Sequence, residues 1–198
     1  MPDAAPPSES PQSQPPEWLG EFALPNGALV RFRRVQADDE PLIAAAINSA
    51  SRETLLHRFF SPIRAVAPDQ LRRMLEFDAT RETCIVGVLE NHSARRIVCG
   101  ARYVKLPRPR AAEIAITVHD DFQHSGLGTR LLRLLAQLAW ADQLEWFEAE
   151  VLSTNQKMLN LVRKLTRGQA QGSWTGDVYH VEIPVQTLAA ESDRRRDG

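Results

Sequence analysis

Residues 111–141 read AAEIAITVHDDFQHSGLGTRLLRLLAQLAWA and join two hydrophobic periodicities through a turn that contains two glycines. The first eight residues alternate with period two, which predicts a strand in which Glu113 is the only charge and shares a face with Thr117. From Leu127 to Leu138 leucines recur at spacings of four, three and four, which predicts an amphipathic helix. The stretch therefore predicts a strand, a glycine-containing loop and a helix in that order.

The loop between this strand and helix has the chemistry of a phosphate site. A helix start presents unpaired backbone N–H groups and a positive dipole end, and glycines such as Gly126 and Gly128 let a ligand approach the backbone closely. The residues alone also permit a helix start that satisfies only its own backbone. A nucleoside triphosphate loop would need Lys after the second glycine, where Thr129 stands. A dinucleotide fingerprint would need a third glycine at the position of Leu131, so both of these alternatives fit poorly.

Further elements are predicted on both sides of this unit. A strand is expected over residues 28–35, after an Asn-Gly turn, and a helix after the acidic residues 38–40. A second helix is expected to begin at Pro68-Asp69. Residues 83–89 and 97–106 are β-branched runs typical of a hairpin, with a turn at residues 91–93. Together with a strand over Trp146–Leu152, these elements give an α/β class.

Composition favours a single folded unit. The chain has 198 residues, of which 43% are hydrophobic, and a net charge of −1 from 24 basic and 25 acidic residues. We expect one domain over residues 18–188, between a disordered Pro/Ser-rich tail at 1–17 and a polar tail at 189–198. A balanced charge offers no field for nucleic acid or an anionic membrane, so neither is expected as a partner. Any binding must come from a local site.

The cysteines and the N-terminus bear on compartment and reactivity. Cys84 and Cys99 lie within apolar runs, which favours buried thiols over a disulfide or an acyl-cysteine nucleophile. No signal peptide and no long apolar span is recognisable, and a cytoplasmic location is expected. Neither His nor Cys occurs at zinc-ligand spacing, so no metal is expected.

The run from Ile116 through the glycine loop into the leucine helix, followed by Trp146–Leu152 and Asn155, resembles the GNAT superfamily of acyl-CoA-dependent N-acetyltransferases. Three further segments look like the acetyltransferase domain of bacterial Pat-type protein lysine acetyltransferases: His57–Pro62, Ala112–Ile114 and Phe147–Leu152. The resemblance covers about residues 24–165. It implies a mixed, mostly antiparallel sheet flanked by helices.

The resemblance also implies a set of residues that bind acetyl-CoA. The pyrophosphate would lie on the loop and the pantetheine along the end of the preceding strand, where its amides can pair with a strand edge. Asn155 would lie near the pantetheine arm. The implied binding residues are Ile116, Thr117, Val118, Gln123, His124, Ser125, Gly126, Leu127, Gly128, Thr129 and Asn155. The amide of Val118 would polarise the thioester carbonyl.

Glu113 matches the general base of the protein acetyltransferases. A lysine amine attacks a thioester only as the free base, and its ordinary pKa near 10.4 means that a carboxylate must take a proton. Its apolar sequence neighbours are expected to raise the pKa of Glu113. The alternative from the residues alone is a surface Glu paired with Arg102 or Arg31.

Some positions depart from the family pattern. Many members carry a Tyr as general acid on the last helix, where this chain has Val162, and Tyr103 and Tyr179 are weak substitutes. His119 and His124 flank the loop and could assist proton transfer, although polar surface is the simpler reading. The rings of Phe59 and Phe60 are expected to pack in the core or to roof the acceptor cleft. On the strand over Trp146–Leu152, the acidic face could attract a cationic acceptor.

Three functions remain open from the sequence. The first is transfer of acetyl from acetyl-CoA to a protein lysine, for instance on an acyl-CoA synthetase, by direct attack in a ternary complex. The second is acetylation of a small-molecule amine. The third is a non-catalytic acyl-CoA-binding regulatory module.

Overall fold

The computed structural model describes residues 17–62, 76, 78–91 and 94–190. The helix expected to begin at Pro68-Asp69 lies outside the described residues. So do His92 and Ser93 of the expected hairpin turn, and residues 1–16 and 191–198 of the expected tails.

One sheet carries the eight strands of the described ranges, in the order β1-β2-β3-β4-β5-β6-β8-β7. The strands are β1 Trp18–Ala23, β2 Leu29–Arg34, β3 Glu82–Asn91, β4 Ala94–Lys105, β5 Ala111–Val118, β6 Trp146–Leu152, β7 Gln171–Thr175 and β8 Val178–Pro184. Neighbours are antiparallel except β5 and β6, which are parallel. The expected mixed, mostly antiparallel sheet is confirmed.

Five α-helices accompany this sheet in the described part of the chain. They are α1 Glu40–Ser49, α2 Arg52–Phe59, α3 Leu127–Ala141, α4 Gln156–Thr166 and α5 Val185–Ala189. The predicted helices after the acidic residues and after the glycine loop are confirmed as α1 and α3. Helix α2 was not predicted, because only Thr54 and Leu55 of its eight residues are buried and no apolar stripe marks it.

Helix α3 anchors the core on one face of the sheet. Its Leu127, Leu131 and Leu135 are fully buried at spacings of four and belong to the main hydrophobic cluster with β4, β5 and β6. Each such side chain contributes about 1.5–3 kcal/mol by leaving water. The burial of this stripe fixes the start of α3, and therefore the glycine loop, against the end of β5.

Strands β5 and β6 are paired over only part of their length. The parallel register joins Ala111–Glu113 to Trp146–Glu148 and goes no further. Beyond this point β5 continues to Val118 beside β4, while β6 continues to Leu152 beside β8. The sheet therefore splits after Glu113, and the edge of β5 faces an opening.

Helix α2 is held over this opening by one carboxylate. Asp120 accepts hydrogen bonds from Ser51 N at 2.8 Å, Ser51 Oγ at 2.6 Å and Thr54 Oγ1 at 2.8 Å. Ser51 is also the N-cap of α2, since its Oγ accepts from the Thr54 N–H. Asp120 thus joins the start of α2 to the segment that follows β5.

We expect Asp120→Ala to lower the free energy of unfolding by about 2 kcal/mol, because three hydrogen bonds to a charged, half-buried acceptor are lost. Burial raises the pKa of Asp120, but the hydrogen bonds from Ser51 and Thr54 outweigh it, and the pKa lies below 3.8. The stabilisation is therefore present above the unfolded-state value near 3.8 and is lost as the pH falls through the folded-state pKa.

Urea unfolding of both proteins across the acid range measures this effect. The difference between wild type and variant should be largest near neutral pH and should narrow below about pH 4. Asp121→Ala is the matched control, since the Asp121 side chain is 62% exposed and its ion pair with Arg96 contributes less than about 1 kcal/mol. A difference that does not change with pH would contradict the role of the ionised carboxylate.

Candidate active site

The edge of β5 that faces the split carries backbone groups directed into it. The N–H of His119 donates to Val98 O on β4 at 2.9 Å. Because successive N–H groups alternate along an extended strand, the N–H and C=O of Val118 point away from β4. The side chain of Gln123 donates to Val118 O at 3.3 Å from that side. The Val118 amide therefore faces the opening.

The glycine loop brings the start of α3 to the same opening. Gly126 is the N-cap with φ +88°, a conformation that suits glycine, and the only side chain of the described residues that accepts at this helix start is Ser125, from Leu127 N at a long 3.4 Å. Ser125 Oγ donates to Phe122 O at 2.6 Å and tightens the turn. The N–H groups of the first helical turn have no intrahelical acceptors, so they and the positive helix end suit an anion.

A polar network fixes the walls of the opening. Gln123 Nε2 donates to Thr54 Oγ1 on α2 at 3.2 Å, and Lys157 Nζ on α4 donates to Gln123 Oε1 at 2.8 Å. One glutamine side chain thus joins the loop, α2, α4 and the end of β5. Lys157 also adds a positive charge beside the loop, 3.9 Å from Glu53.

These elements enclose a cleft of about 260 Å³. Of the binding residues expected from the sequence, the following line it: Ile116, Thr117, Val118, Gln123, His124, Gly126, Gly128, Thr129 and Asn155. Ser125 and Leu127 do not, because Ser125 bonds within the turn and Leu127 points into the core. The cleft therefore brings together a strand edge, a helix N-terminus and a cation.

Asn155 and Val162 lie on the last long helix beside this cleft. Asn155 is the N-cap of α4, and its Oδ1 accepts from Met158 N at 3.1 Å. Val162 is buried in the core and does not line the cleft. At the position of the family's tyrosine the chain therefore offers neither an acid nor access to the cleft.

Glu113 lies at the last parallel pair before the split, beside Glu148. Its side chain is exposed and borders an acidic groove of about 500 Å³, formed with β6 and the β7–β8 hairpin. Glu148, Glu150 and Glu182 line the same groove. Arg108 binds Glu148 and Glu182 at 3.3 and 2.6 Å, and His180 lies 3.2 Å from Glu150. Glu113 makes no hydrogen bond or ion pair with any described residue.

Two expectations for Glu113 are wrong. Its surroundings are not apolar, because its neighbours Ile114 and Ala112 in sequence point to the opposite face of the strand. The alternative pairing with Arg31 or Arg102 is also absent, since these arginines bind Glu90 and Glu82.

The other candidate groups are placed away from the cleft. Burial raises the pKa of Cys84 to about 11 and that of Cys99 to about 12, which confirms inert core thiols. Tyr103 is a core residue whose OH donates to Asp142 at 2.8 Å, and burial raises its pKa to about 12. Tyr179 packs on Trp174, with ring centroids 4.9 Å apart. Neither tyrosine lines the cleft.

The histidines and the Phe pair differ in part from expectation. His119 is buried, not a surface residue, and its ring lies within 3.1 Å of Ser49 Oγ and 3.0 Å of Arg96 Nη2. His124 lines the cleft. Core packing is wrong for Phe60, which is 40% exposed as the C-cap of α2.

Sequence reasoning missed the contribution of α2 and of Lys157 to the cleft. Thr54, His57 and Arg58 line it from α2, whose formation the local pattern did not indicate. His57 Nε2 lies 3.2 Å from Thr154 Oγ1 and so spans from α2 to the start of α4. A lysine two residues after Asn155, at the start of a helix, was a signal that could have been used.

Within the described residues, no group of three or more His, Cys, Asp or Glu side chains is arranged to hold a metal ion. None of the helices in these ranges has the length and apolar character needed to cross a membrane.

Comparison with known proteins gives consistent matches. The model of the acetyltransferase (GNAT) family matches residues 50–166. The chain is 27% identical over 117 residues to an acetyltransferase of Pseudomonas aeruginosa, and this alignment covers 59% of this chain and 63% of that protein. It is also 29% identical over 148 residues to the acetyltransferase Pat of Mycolicibacterium smegmatis. That alignment covers 72% of this chain and 43% of the Pat protein. The chain thus matches less than two thirds of either relative's length.

Among solved structures, the GNAT domain of S. lividans PAT superposes with a TM-score of 0.72 at 22% identity. The superposition covers 83% of this chain and 96% of that domain. At this identity the likeness establishes the fold alone.

Proposed function

The chain belongs to the GNAT family of acetyltransferases, and on that premise we propose that it transfers the acetyl group of acetyl-CoA to a primary amine, most readily a protein lysine. The observation that carries the proposal is the position of Glu113. It lies where the sheet splits and borders the acidic groove, on the strand whose C-terminal end lines the cleft. The sequence resemblance to Pat-type protein lysine acetyltransferases, together with the match to the acetyltransferase Pat, supports a protein acceptor such as an acyl-CoA synthetase.

The geometry of the cleft fits an acyl-CoA. The first turn of α3 binds the pyrophosphate through backbone N–H groups, with Lys157 as a nearby cation. The free edge of β5 over Ile116–Val118 pairs with the amides of pantetheine as an added strand would. Asn155 closes the cleft from α4.

The reaction needs a base and a polarised carbonyl. Acetyl-CoA supplies an activated acyl carbon, whose bond to sulfur breaks as its bond to the amine nitrogen forms. Glu113 removes a proton from the amine, directly or through one water, and the Val118 N–H stabilises the charge that develops on the carbonyl oxygen. The amine enters along the acidic groove, whose charge favours a cationic acceptor before it loses its proton.

The test is a titration with acetyl-CoA followed by measurement of thiol release with three classes of acceptor. The panel is a folded acyl-CoA synthetase, a lysine peptide and the small amines spermidine and ethanolamine. We expect binding of acetyl-CoA and a kcat/KM for the protein at least tenfold above that for any small amine. Faster turnover of a small amine would show that the acceptor is a small-molecule amine and not a protein lysine. Binding of acetyl-CoA without turnover on any acceptor would favour the regulatory module.

The acidic groove makes a prediction of its own. Glu150→Gln should raise the KM for a lysine acceptor about two- to fivefold and leave kcat unchanged, because a 54% exposed carboxylate contributes a screened attraction worth under about 1 kcal/mol. The effect should fade as salt is added. Glu145→Gln is the matched control, because Glu145 pairs with Arg110 outside the groove. A fall in kcat with constant KM would contradict an attracting role.

A further inference from the structure

A second cavity adjoins the cleft on the same face of the sheet as Glu113. It lies beneath α1 and α2, has a volume of about 150 Å³ and is lined mainly by apolar side chains of β3, β4 and α1. Arg58 and Thr117 line both this cavity and the cleft, so the two spaces share a wall at the end of β5. A cavity of this size, with aliphatic walls, holds an apolar group as large as benzene.

Two polar groups on this cavity are donors without acceptors. Arg102 Nε and Thr117 Oγ1 are buried and have no hydrogen-bond partner. The other end of the Arg102 guanidinium binds Glu82. Buried polar groups in native proteins are nearly always satisfied, so unsatisfied ones at a cavity require a partner there, such as a ligand or an ordered water. No carboxylate is among the described residues that line the cavity.

Arg58 adds a largely desolvated positive charge. Its guanidinium lies 5.3 Å from the centre of the Phe59 ring and makes no hydrogen bond or ion pair with any described residue. Burial, and to a lesser degree the charge of Arg102, lower the pKa of Arg58 from its ordinary value, and the opposing charge of Glu113 does not offset them. A desolvated charge is retained in a fold where it meets a counter-charge, and a guanidinium matches a carboxylate in geometry.

We propose that this cavity binds a carboxylate at the end of a short acyl chain, so that the enzyme accepts dicarboxylic acyl-CoA donors such as succinyl-CoA in addition to acetyl-CoA. The proposal rests on the proposed function, since it requires the thioester at the end of β5. The chain's methylene groups contact the apolar wall, and its carboxylate accepts from Arg58, Arg102 Nε and Thr117 Oγ1.

With succinyl-CoA as donor, the same bonds form and break in the transfer step as with acetyl-CoA. The carbon–nitrogen bond forms as the carbon–sulfur bond breaks, the amine proton passes to Glu113 and CoA leaves as the thiolate. The distal carboxylate is neither consumed nor protonated. It determines which donor binds and leaves the reacting atoms unchanged.

Calorimetric titration of the wild-type chain with acetyl-, butyryl- and succinyl-CoA, without any acceptor, tests the proposal. Succinyl-CoA and butyryl-CoA differ in having a carboxylate or a methyl group at the end of the same chain. We expect succinyl-CoA to bind roughly ten- to a hundredfold more tightly than butyryl-CoA, as charge-assisted hydrogen bonds require. Equal or weaker binding of succinyl-CoA would overturn the proposal, whereas failure of acetyl-CoA to bind would overturn the proposed function itself.

Two substitutions of Arg58, with a control at another arginine of α2, distinguish a specific role of Arg58 from a general effect of changing this helix. Arg58→Met should abolish the preference for succinyl- over butyryl-CoA, and Arg58→Lys should keep part of it. Arg52→Met is the matched control, since Arg52 is exposed on the same helix and lines neither space. A preference that survives Arg58→Met would contradict the assignment.

The carboxylate that the cavity binds could belong to the acceptor instead of the acyl-CoA donor, and a second experiment distinguishes the two. With acetyl-CoA as donor, Nα-acetyl-lysine and its amide should show the same ratio of kcat/KM in wild type and in Arg58→Met. If Arg58→Met instead removed a preference for the acid over the amide, the cavity would serve the acceptor and the donor assignment would be wrong.

Discussion

Glu113→Gln is expected to lower kcat for a lysine acceptor about 10²- to 10⁴-fold, which is the usual contribution of a positioned general base. Glutamine keeps the size of the side chain and removes its ability to take a proton. The exposed side chain of Glu113 makes no hydrogen bond or ion pair with a described residue that the change would break, so stability and the Kd for acetyl-CoA should remain near wild-type values.

The measurement is a steady-state thiol-release assay with a parallel titration of acetyl-CoA. Glu150→Gln serves as the control from the same groove, because it should change KM and leave kcat unchanged. If kcat for Glu113→Gln stayed within threefold of wild type, Glu113 would not be the base. If the Kd for acetyl-CoA rose in step with the loss of kcat, the residue would act in binding.

The strand, loop and helix of residues 111–141 were predictable because each is encoded locally. Alternation specifies β5, the leucine spacing specifies α3, and the glycines mark the turn between them. Strand β1 is an edge strand with mostly half-buried residues, so it carries no clear alternation and was missed. Local pattern identifies an element when one of its faces is strongly buried.

The surroundings of Glu113 were not predictable by the same route. Sequence neighbours of a strand residue lie on the other face of the sheet, so Ile114 says little about the environment of Glu113. Its neighbour on its own face is Glu148, which is 35 positions along the chain and becomes adjacent only through the parallel pairing of β5 and β6. The acidic groove and the splitting of the sheet are therefore properties of the topology.

The cleft shows the same division between local and long-range information. Nine of the eleven expected binding residues line it, because they belong to the strand end, the loop and a helix cap that sequence specifies. Helix α2 joins them through Asp120 and Gln123, over separations of 66 and 69 residues. These contacts depend on how α1 and α2 pack against the sheet, which no motif records.

The glycine loop gives the second large prediction. Gly128→Glu is expected to raise the Kd for acetyl-CoA by a factor of about 10² to 10³. Gly128 lies in the first turn of α3 and lines the cleft, so a carboxylate there would lie near the pyrophosphate. Two unit charges about 4 Å apart repel by about 1 kcal/mol in water and about 4 kcal/mol at a protein surface, and each 1.4 kcal/mol is tenfold in Kd.

Gly128→Gln is the isosteric control, and it separates charge from bulk. A Cβ at this position would meet Leu161 Cδ2 at 3.6 Å and Val118 Cγ2 at 3.7 Å, which are ordinary contacts, so both variants should fold. Glutamate in the first turn also interacts favourably with the helix dipole, so the thermal stability of Gly128→Glu should equal or exceed that of wild type. A loss of binding in this variant is then attributable to the site.

The dependence on salt decides whether the loop binds an anion. Raising the ionic strength screens the added carboxylate from the pyrophosphate, so the ratio of Kd between Gly128→Glu and Gly128→Gln should shrink. Steric obstruction would not respond to salt. If the two variants bound acetyl-CoA equally at low salt, no phosphate would lie near the start of α3, and the positive end of this helix would serve only the fold.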